Sequence, residues 1–378
     1  MINFLLFFLF GGAFAAAGGG NSSGGGASTA TVPTTGSTPA PPTGDEGDAD
    51  TDTDNPASGS DSGGSGSIGG DGTDTAPSLP DSAYDIGWVG LSPEEQLIVE
   101  LINRARMDPQ AEVTRLAEGL AAGVSSSPVE ALAVNPELSA ASDAHSQDMD
   151  NRDFFSHTNL SGETPSDRAI DAGYGSTYVG ENIGWIGSTF APSDVQARAE
   201  GHHANLWESD GHQQNLMSGN WNVLGVGYDY GSYLGYDGST FVTEMFGNTG
   251  ETYLTGVVID DQDNDQFYDI GEGQGDVRVT AYAGDQAYAT ATWSSGGYTL
   301  ALPPGTYRVV FEGGDLSQPY ETEVTIGSEN VKLDVLEDNG AALTSAAGLL
   351  VDDPGAALTQ AFVGEEPADS SEEFLMLV

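Results

Sequence analysis

The chain contains no cysteine. A disulfide framework, a thiol nucleophile, a thiolate metal site and a lipid-anchored N-terminal cysteine are therefore all excluded. Basic residues are nearly as scarce. Nine lysines and arginines stand against 58 aspartates and glutamates, the formal net charge is −49, and Lys332 is the sole lysine. Without a cationic patch to displace phosphate counterions, such a chain repels nucleic acid and anionic membrane surfaces and attracts divalent cations. It also suits a salt-rich habitat, where mobile ions screen self-repulsion. Long apolar runs are missing beyond residues 1–17, so the mature chain is expected to have no transmembrane helix.

Glycine is abundant, 53 of 378 residues, and is densest in the first ninety. The chain divides into five stretches. Residues 1–17, MINFLLFFLFGGAFAAA, have the apolar core and small terminal residues of an export signal, although no Lys or Arg precedes the core; a short N-terminal membrane anchor is the alternative. Residues 18–88 are Gly, Ser, Thr, Pro and Asp, too poor in apolar surface to offset chain entropy, and read as a disordered tether. Residues 89–250 carry helical and strand patterns, residues 251–337 carry short strands, and residues 338–378 form an acidic, Ala-rich tail to which no function attaches. The fold class expected is α+β followed by a small all-β sandwich.

Within 89–250, Ser92-Pro93-Glu94-Glu95 is a capping box ahead of an apolar stripe at Leu97, Leu101, Ile102 and Ala105. Asn135-Pro136-Glu137 opens a second helix, Thr164-Pro165 a third, and Pro192 to Trp207 forms a fourth. Strands are expected at 223–228 and 241–246, with Gly225-Val226-Gly227 read as a turn.

Three of the five histidines, His202, His203 and His212, fall between Gly201 and Tyr228. His212 follows a Ser209-Asp210-Gly211 turn, a placement that suits a ligand or proton carrier. His157 follows two aromatics that would bury and leave its ring at a rim, and Glu181 stands in Gly180-Glu181-Asn182. Two imidazoles and a carboxylate match a divalent-metal site with an open position, but their spacing is not a compact metal motif, and from the residues alone a set of structural hydrogen bonds is the favoured reading. His203 and Glu200 share a helix face and could line a cleft, although a packing role is the favoured reading for His203; His202 reads as solvated and His145 as a core or hydrogen-bonding residue.

The ordered series His145-Ser146-Gln147-Asp148-Met149, Phe154-Phe155-Ser156-His157, Gly162-Glu163-Thr164-Pro165 with Arg168, Gly180-Glu181-Asn182-Ile183, Trp207, Gly211-His212, Asn215-Leu216-Met217 and Gly225-Val226-Gly227-Tyr228 resembles the bacterial branch of the CAP superfamily of cysteine-rich secretory, antigen 5 and pathogenesis-related proteins. The resemblance covers about 91–248 and implies an α-β-α sandwich with a central cleft, where His157, His212 and Glu181 hold a divalent ion, often zinc. A second family glutamate has no clear counterpart; Asp210 and Glu200 lie nearest its place. The resemblance further implies a secreted or cell-surface protein with an extracellular ligand that it does not identify, lipid, sterol and cell-surface components being candidates, and leaves open whether it is an enzyme.

In the last third, Asp261, Asp263, Asp265, Asp269 and Glu272 occupy positions one, three, five, nine and twelve of an acidic loop. That is the oxygen spacing of an EF-hand-type calcium loop, with Gln266 where glycine is usual at position six and a strand rather than a helix before it. Together with Gly273, Asp276-Val277-Arg278-Val279, Gly297-Tyr298 and Gly305-Thr306-Tyr307, it resembles the B-type repeats of bacterial surface adhesins, β-sandwiches stiffened by calcium. The expectation is a secreted protein with a metal-binding, ligand-binding cleft joined to a calcium-stabilised sandwich. A metal-dependent hydrolase with Glu181 as general base, and a structural adhesin with a vestigial cleft, are the alternatives.

Overall fold

Local capping sets the helix starts. In the computed structural model, which describes residues 90–337 and the strand backbones of 343–347 and 375–377, the Ser92 hydroxyl accepts from Glu95 N at 3.2 Å while Glu95 Oε2 accepts from Ser92 N at 2.8 Å. That box opens α1 (Pro93–Met107). Asp108 caps α2 (Pro109–Leu116), and after the short β1 (Ala133–Val134) Asn135 caps α3 (Pro136–Asn151). Thr164 caps α4 (Pro165–Asp171). β2 (Gly180–Gly187) precedes α5 (Val195–Glu208), which starts three residues later than its proline suggests because the Asp194 side chain accepts from Ala197 N at 3.0 Å. Then come α6 (Asp210–Leu216), β3 (Val223–Tyr233) and β4 (Tyr236–Gly247).

The remaining strands are β5 (Tyr253–Asp260), β6 (Val277–Ala283), β7 (Gln286–Ala291), β8 (Gly297–Ala301), β9 (Gly305–Gly313), β10 (Tyr320–Ile326), β11 (Val331–Glu337), β12 (Leu343–Ala347) and β13 (Leu375–Leu377). The expected export signal, the expected tether and most of the acidic tail lie outside the described residues. No helix among the described residues is long and apolar enough to cross a membrane.

Residues 90–247 form an α-β-α sandwich. The central sheet runs β1-β3-β4-β2-β13, with α1 and α5 packed on one face and α3 and α4 on the other. The Gly225-Val226-Gly227 segment is not a turn but the middle of β3, and its glycines serve close approach. A Cβ at Gly225 would sit 2.1 Å from the Leu138 carbonyl carbon, and one at Gly227 2.3 Å from Asp143 N. The backbone of α3 lies directly on the strand, where Ser142 Oγ donates to Gly225 O at 3.2 Å and Ser146 Oγ to Gly227 O at 3.1 Å.

The C-terminal strands form two four-stranded sheets, β10-β9-β6-β7 and β12-β11-β5-β8, closed over Leu254, Val258, Val279, Tyr298, Phe311 and Val335. This sandwich does not hang from a flexible joint. Val257, Ile259, Tyr268, Trp293 and Leu336 belong to the same hydrophobic core as Leu97, Leu101 and Ile102 of α1. Helix α1 is therefore covered on both sides, and its polar face is buried too. Trp293 Nε1 donates to Gln96 Oε1 at 2.9 Å, Gln96 Nε2 donates to Glu100 Oε1 at 2.8 Å, and Lys332 Nζ lies 2.7 Å from Glu100 Oε2 and against Asp334. Burial raises the Glu100 carboxyl, whereas Asp334 and Glu100 together outweigh burial at Lys332 and raise its ammonium. The single lysine of the chain thus sits in the junction.

Removing one partner of a buried ion pair leaves the other charge uncompensated, at a cost of about 3–5 kcal/mol. Lys332→Met is predicted to lower the unfolding free energy of the full chain by about that amount in urea titrations, whereas Arg308→Met, which breaks the exposed pair with Glu321, should cost under about 1 kcal/mol.

Candidate functional site

A sharp left-handed residue, Asp153 (φ 56°), ends the α3 region and turns the chain so that Phe154 buries and His157 is left half exposed. The loop bearing His157 is held by Arg168 of α4, whose Nη1 donates to His157 O at 3.0 Å and to Glu163 O at 3.1 Å. The other guanidinium nitrogen, Nη2, meets Glu181 Oε2. Glu181 Oε1 lies 2.8 Å from His157 Nδ1. A carboxylate accepts, so Nδ1 is the donor of this pair, and in the neutral ring Nε2 is then the nitrogen with the free lone pair. Both oxygens of Glu181 are therefore engaged, one by each neighbour.

The helix that bears His212 is tied to the same strand. Asn215 of α6 donates to Glu181 O at 3.2 Å and to Asn182 Oδ1 at 2.9 Å, and Asn182 Nδ2 donates to His212 O at 3.3 Å. These amides tie α6 to β2. The His212 ring is mostly buried and its Nδ1 has no hydrogen-bond partner; burial, aided by the neighbouring His157, holds its pKa down at about 4. It is a neutral imidazole at neutral pH. Behind Asn182, the fully buried Glu244 of β4 accepts from Asn182 Nδ2 at 3.0 Å, its Oε1 is without a partner, and burial pushes its carboxyl up to about 7. Sequence reasoning gave no role to Glu244, Asn182 or Asn215. The resemblance points to Asn182 and Asn215 by position, but nothing marks Glu244, which looks like any polar residue of a strand.

The other histidines are structural. His145 is buried with Nε2 3.1 Å from Ser156 O, and burial lowers its pKa to about 4. His202, expected in solvent, is instead 1% exposed with Nε2 2.8 Å from Thr240 Oγ1, because α5 lays that face on the sheet. His203 does not line the cleft: its Nε2 is 2.7 Å from Glu112 Oε1 of α2, a carboxylate also paired with Arg115 and Arg104. Glu200 likewise lies elsewhere, beside Gln196 and within electrostatic reach of Arg104 and Asp269. Asp210 is exposed in the first turn of α6.

The acidic loop gathers its carboxylates. Ligand atoms of Asp261, Asp263 and Asp265, and of Asp263, Asp269 and Glu272, lie within 4.8 Å of one another; among the described residues these are the groups of three or more His, Asp or Glu that converge so closely. Gln266, at the position usually held by glycine, takes the left-handed conformation itself (φ 65°) and its N donates to Asp261 Oδ2 at 3.2 Å. Glu272 closes the loop, accepting from Gln262 N at 2.8 Å and Asp269 N at 3.1 Å, and burial with the nearby acids pushes its carboxyl up to about 7.

A three-layer domain in which β2 presents Glu181 to His157 and is tied by amides to the helix bearing His212 defines the class. Residues 99–246 match the CAP family, described as the cysteine-rich secretory protein family, and this part of the chain is a CAP domain. Solved structures similar to the chain include an extracellular protein containing an SCP domain from Bacillus anthracis, at 24% identity over 46% of this chain and 45% of that one, with a TM-score of 0.27. An outer surface protein of Borrelia burgdorferi matches at 14% identity over 41% of this chain and 92% of that one, with a TM-score of 0.27. The 5-hydroxyisourate hydrolase of Klebsiella pneumoniae matches at 16% identity over 26% and 99%, with a TM-score of 0.21. The chain thus spans less than half the length of the Bacillus protein. No curated protein matches it.

His202, held neutral at a pKa of about 3 by burial, contributes stability that is present above the unfolded histidine value near 6.5 and is lost as pH falls toward the folded value. His202→Gln should therefore flatten the loss of thermal stability between pH 6.5 and 4, by on the order of 1–3 kcal/mol relative to wild type. Parallel melting curves for the two proteins would contradict this.

Proposed function

We propose that this is an exported CAP-domain protein whose cleft carries a divalent ion, zinc or a similar metal, on His157 and His212 and uses it to hold an extracellular ligand. The ring atoms suit that role. His157 offers Nε2 because Nδ1 is fixed by Glu181, and His212 offers a buried nitrogen for which the protein supplies no partner. Glu181 then stands behind His157 as the orienting carboxylate of a metal-bound imidazole rather than as a ligand. A bound zinc would supply a Lewis-acidic open position. On a strongly acidic surface, that position anchors an oxygen-bearing group of a lipid, a sterol or a cell-surface component.

The observation that carries binding over hydrolysis is the double engagement of Glu181, by His157 on one oxygen and Arg168 on the other. A carboxylate so occupied is poorly placed to take a proton from water, and the chain has no cysteine to act as nucleophile. In the C-terminal module, which we read as an adhesin-like sandwich, Asp261, Asp263, Asp265, Asp269 and Glu272 would hold calcium. Their mutual repulsion is the reason an ion belongs there, and its role is structural.

Isothermal titration of the metal-free full chain with zinc chloride is expected to show a cleft site weakened at least about tenfold in His157→Ala and in His212→Ala. Zinc-loaded wild type should not cleave a panel of unstructured peptides. Unchanged zinc affinity in both variants would remove the metal from the cleft, and a zinc-dependent peptidase activity abolished by Glu181→Gln would establish the hydrolase instead.

A further inference from the structure

The loop 261–272 is built against the CAP domain as much as against its own sandwich. Gln196, in the first turn of α5, accepts from Ile270 N through Oε1 at 3.2 Å and donates through Nε2 to Asp269 Oδ1. The Arg104 guanidinium of α1 lies over the Phe267 ring, 4.0 Å from its centroid. Tyr268 is buried in the core shared with α1, and its hydroxyl lies 3.5 Å from Pro93 O. On the sandwich side, Asp261 N donates to Glu337 O at 2.8 Å and Asp260 N to Glu272 O at 2.9 Å. Four consecutive loop residues, Phe267 to Ile270, thus touch α1 or α5, while the ends of the loop belong to β5 and β11.

One feature points to an ion in this loop independently of its acidity. Asp261 is 4% exposed, and its Oδ1 is buried with no hydrogen-bond partner, a desolvated charge that the protein leaves for something else to satisfy. The carboxylates around it gather in two groups that share Asp263, one with Asp261 and Asp265 and one with Asp269 and Glu272, the many-oxygen surrounding that a calcium ion takes.

We propose that the loop is a calcium-operated latch that fastens the sandwich to the CAP domain, with Gln196 as the contact on the CAP side. The inference rests on the calcium reading given above and goes beyond it: the ion stiffens the junction, not the sandwich alone. Gln196 fixes the carboxylate of Asp269 and the backbone next to it, so a docked α5 presents a better-formed site. By the reciprocity of linkage, a filled site must favour docking of the α5 start to the same degree. Because α5 leads directly into α6 and His212, the latch would steady the side of the cleft that carries that ring.

The test uses the full chain stripped of metal, titrated with calcium chloride by calorimetry, with amide hydrogen exchange of segments 93–107 and 195–200 followed with and without calcium. The expected result is slower exchange in both segments on adding calcium to wild type. Gln196→Ala, with unchanged circular dichroism, should bind calcium about tenfold more weakly and lose the calcium-dependent slowing in 195–200. If calcium binds wild type but 195–200 exchanges at the same rate with and without it, or if Gln196→Ala binds as tightly as wild type, the latch is overturned and the calcium site stands. If wild type binds no calcium, or if Asp261→Asn with Glu272→Gln leaves binding unchanged, the calcium site itself fails and the latch with it.

Discussion

The structure depends on the double burial of α1. One face of the helix packs with α5 against the central sheet through Leu97, Leu101 and Ile102; the other is covered by Trp293, Tyr268 and Leu336 of the sandwich. A helix in that position carries polar side chains where water would normally receive them, and each must find a partner in the protein. Gln96, Glu100 and Lys332 do so as one connected set across the junction. The domain has no disulfide to close its chain, and the extra apolar surface buried by the sandwich stands in the place where a cross-link would otherwise add stability.

The cleft inherits its rigidity from that frame. Arg168 holds the His157 loop by its backbone and Glu181 by its carboxylate, so the imidazole and the strand are fixed relative to each other by one buried guanidinium. On the other side, Asn182 and Asn215 bind α6 to β2 through main-chain and amide contacts, which places His212 without using its ring. The two ring nitrogens left over are the parts of the cleft that the fold does not consume. That division, with supports satisfied and rings spare, is what a binding centre requires of its surroundings.

Much of this was legible in the residues. Ser92, Asn135 and Thr164 announce their helices because a cap is a local bond between a side chain and the amides three residues on. The resemblance located His157, Glu181 and His212 because it reads landmarks in order rather than contacts. What failed to show was set by distant parts of the chain. Gln96 and Glu100 look like a solvated helix face until the sandwich covers them, and His202 looks solvated until Thr240 meets it. Strand β2 lacks an alternating pattern because seven of its eight residues are buried. Gly225 and Gly227 look like a turn, since nothing local reveals that the backbone of α3 passes over them. Gln196 meets Asp269 across 73 positions, a contact no window of sequence contains.

The central claim is that Glu181 supports the cleft ion without touching it. A crystal structure of the full chain grown with zinc chloride tests this most directly. The account predicts zinc on His157 Nε2 and on the His212 ring, with Glu181 still bonded to His157 Nδ1 and Arg168. A Glu181 carboxylate oxygen in the coordination sphere of the metal, or zinc bound away from both imidazoles, would contradict it.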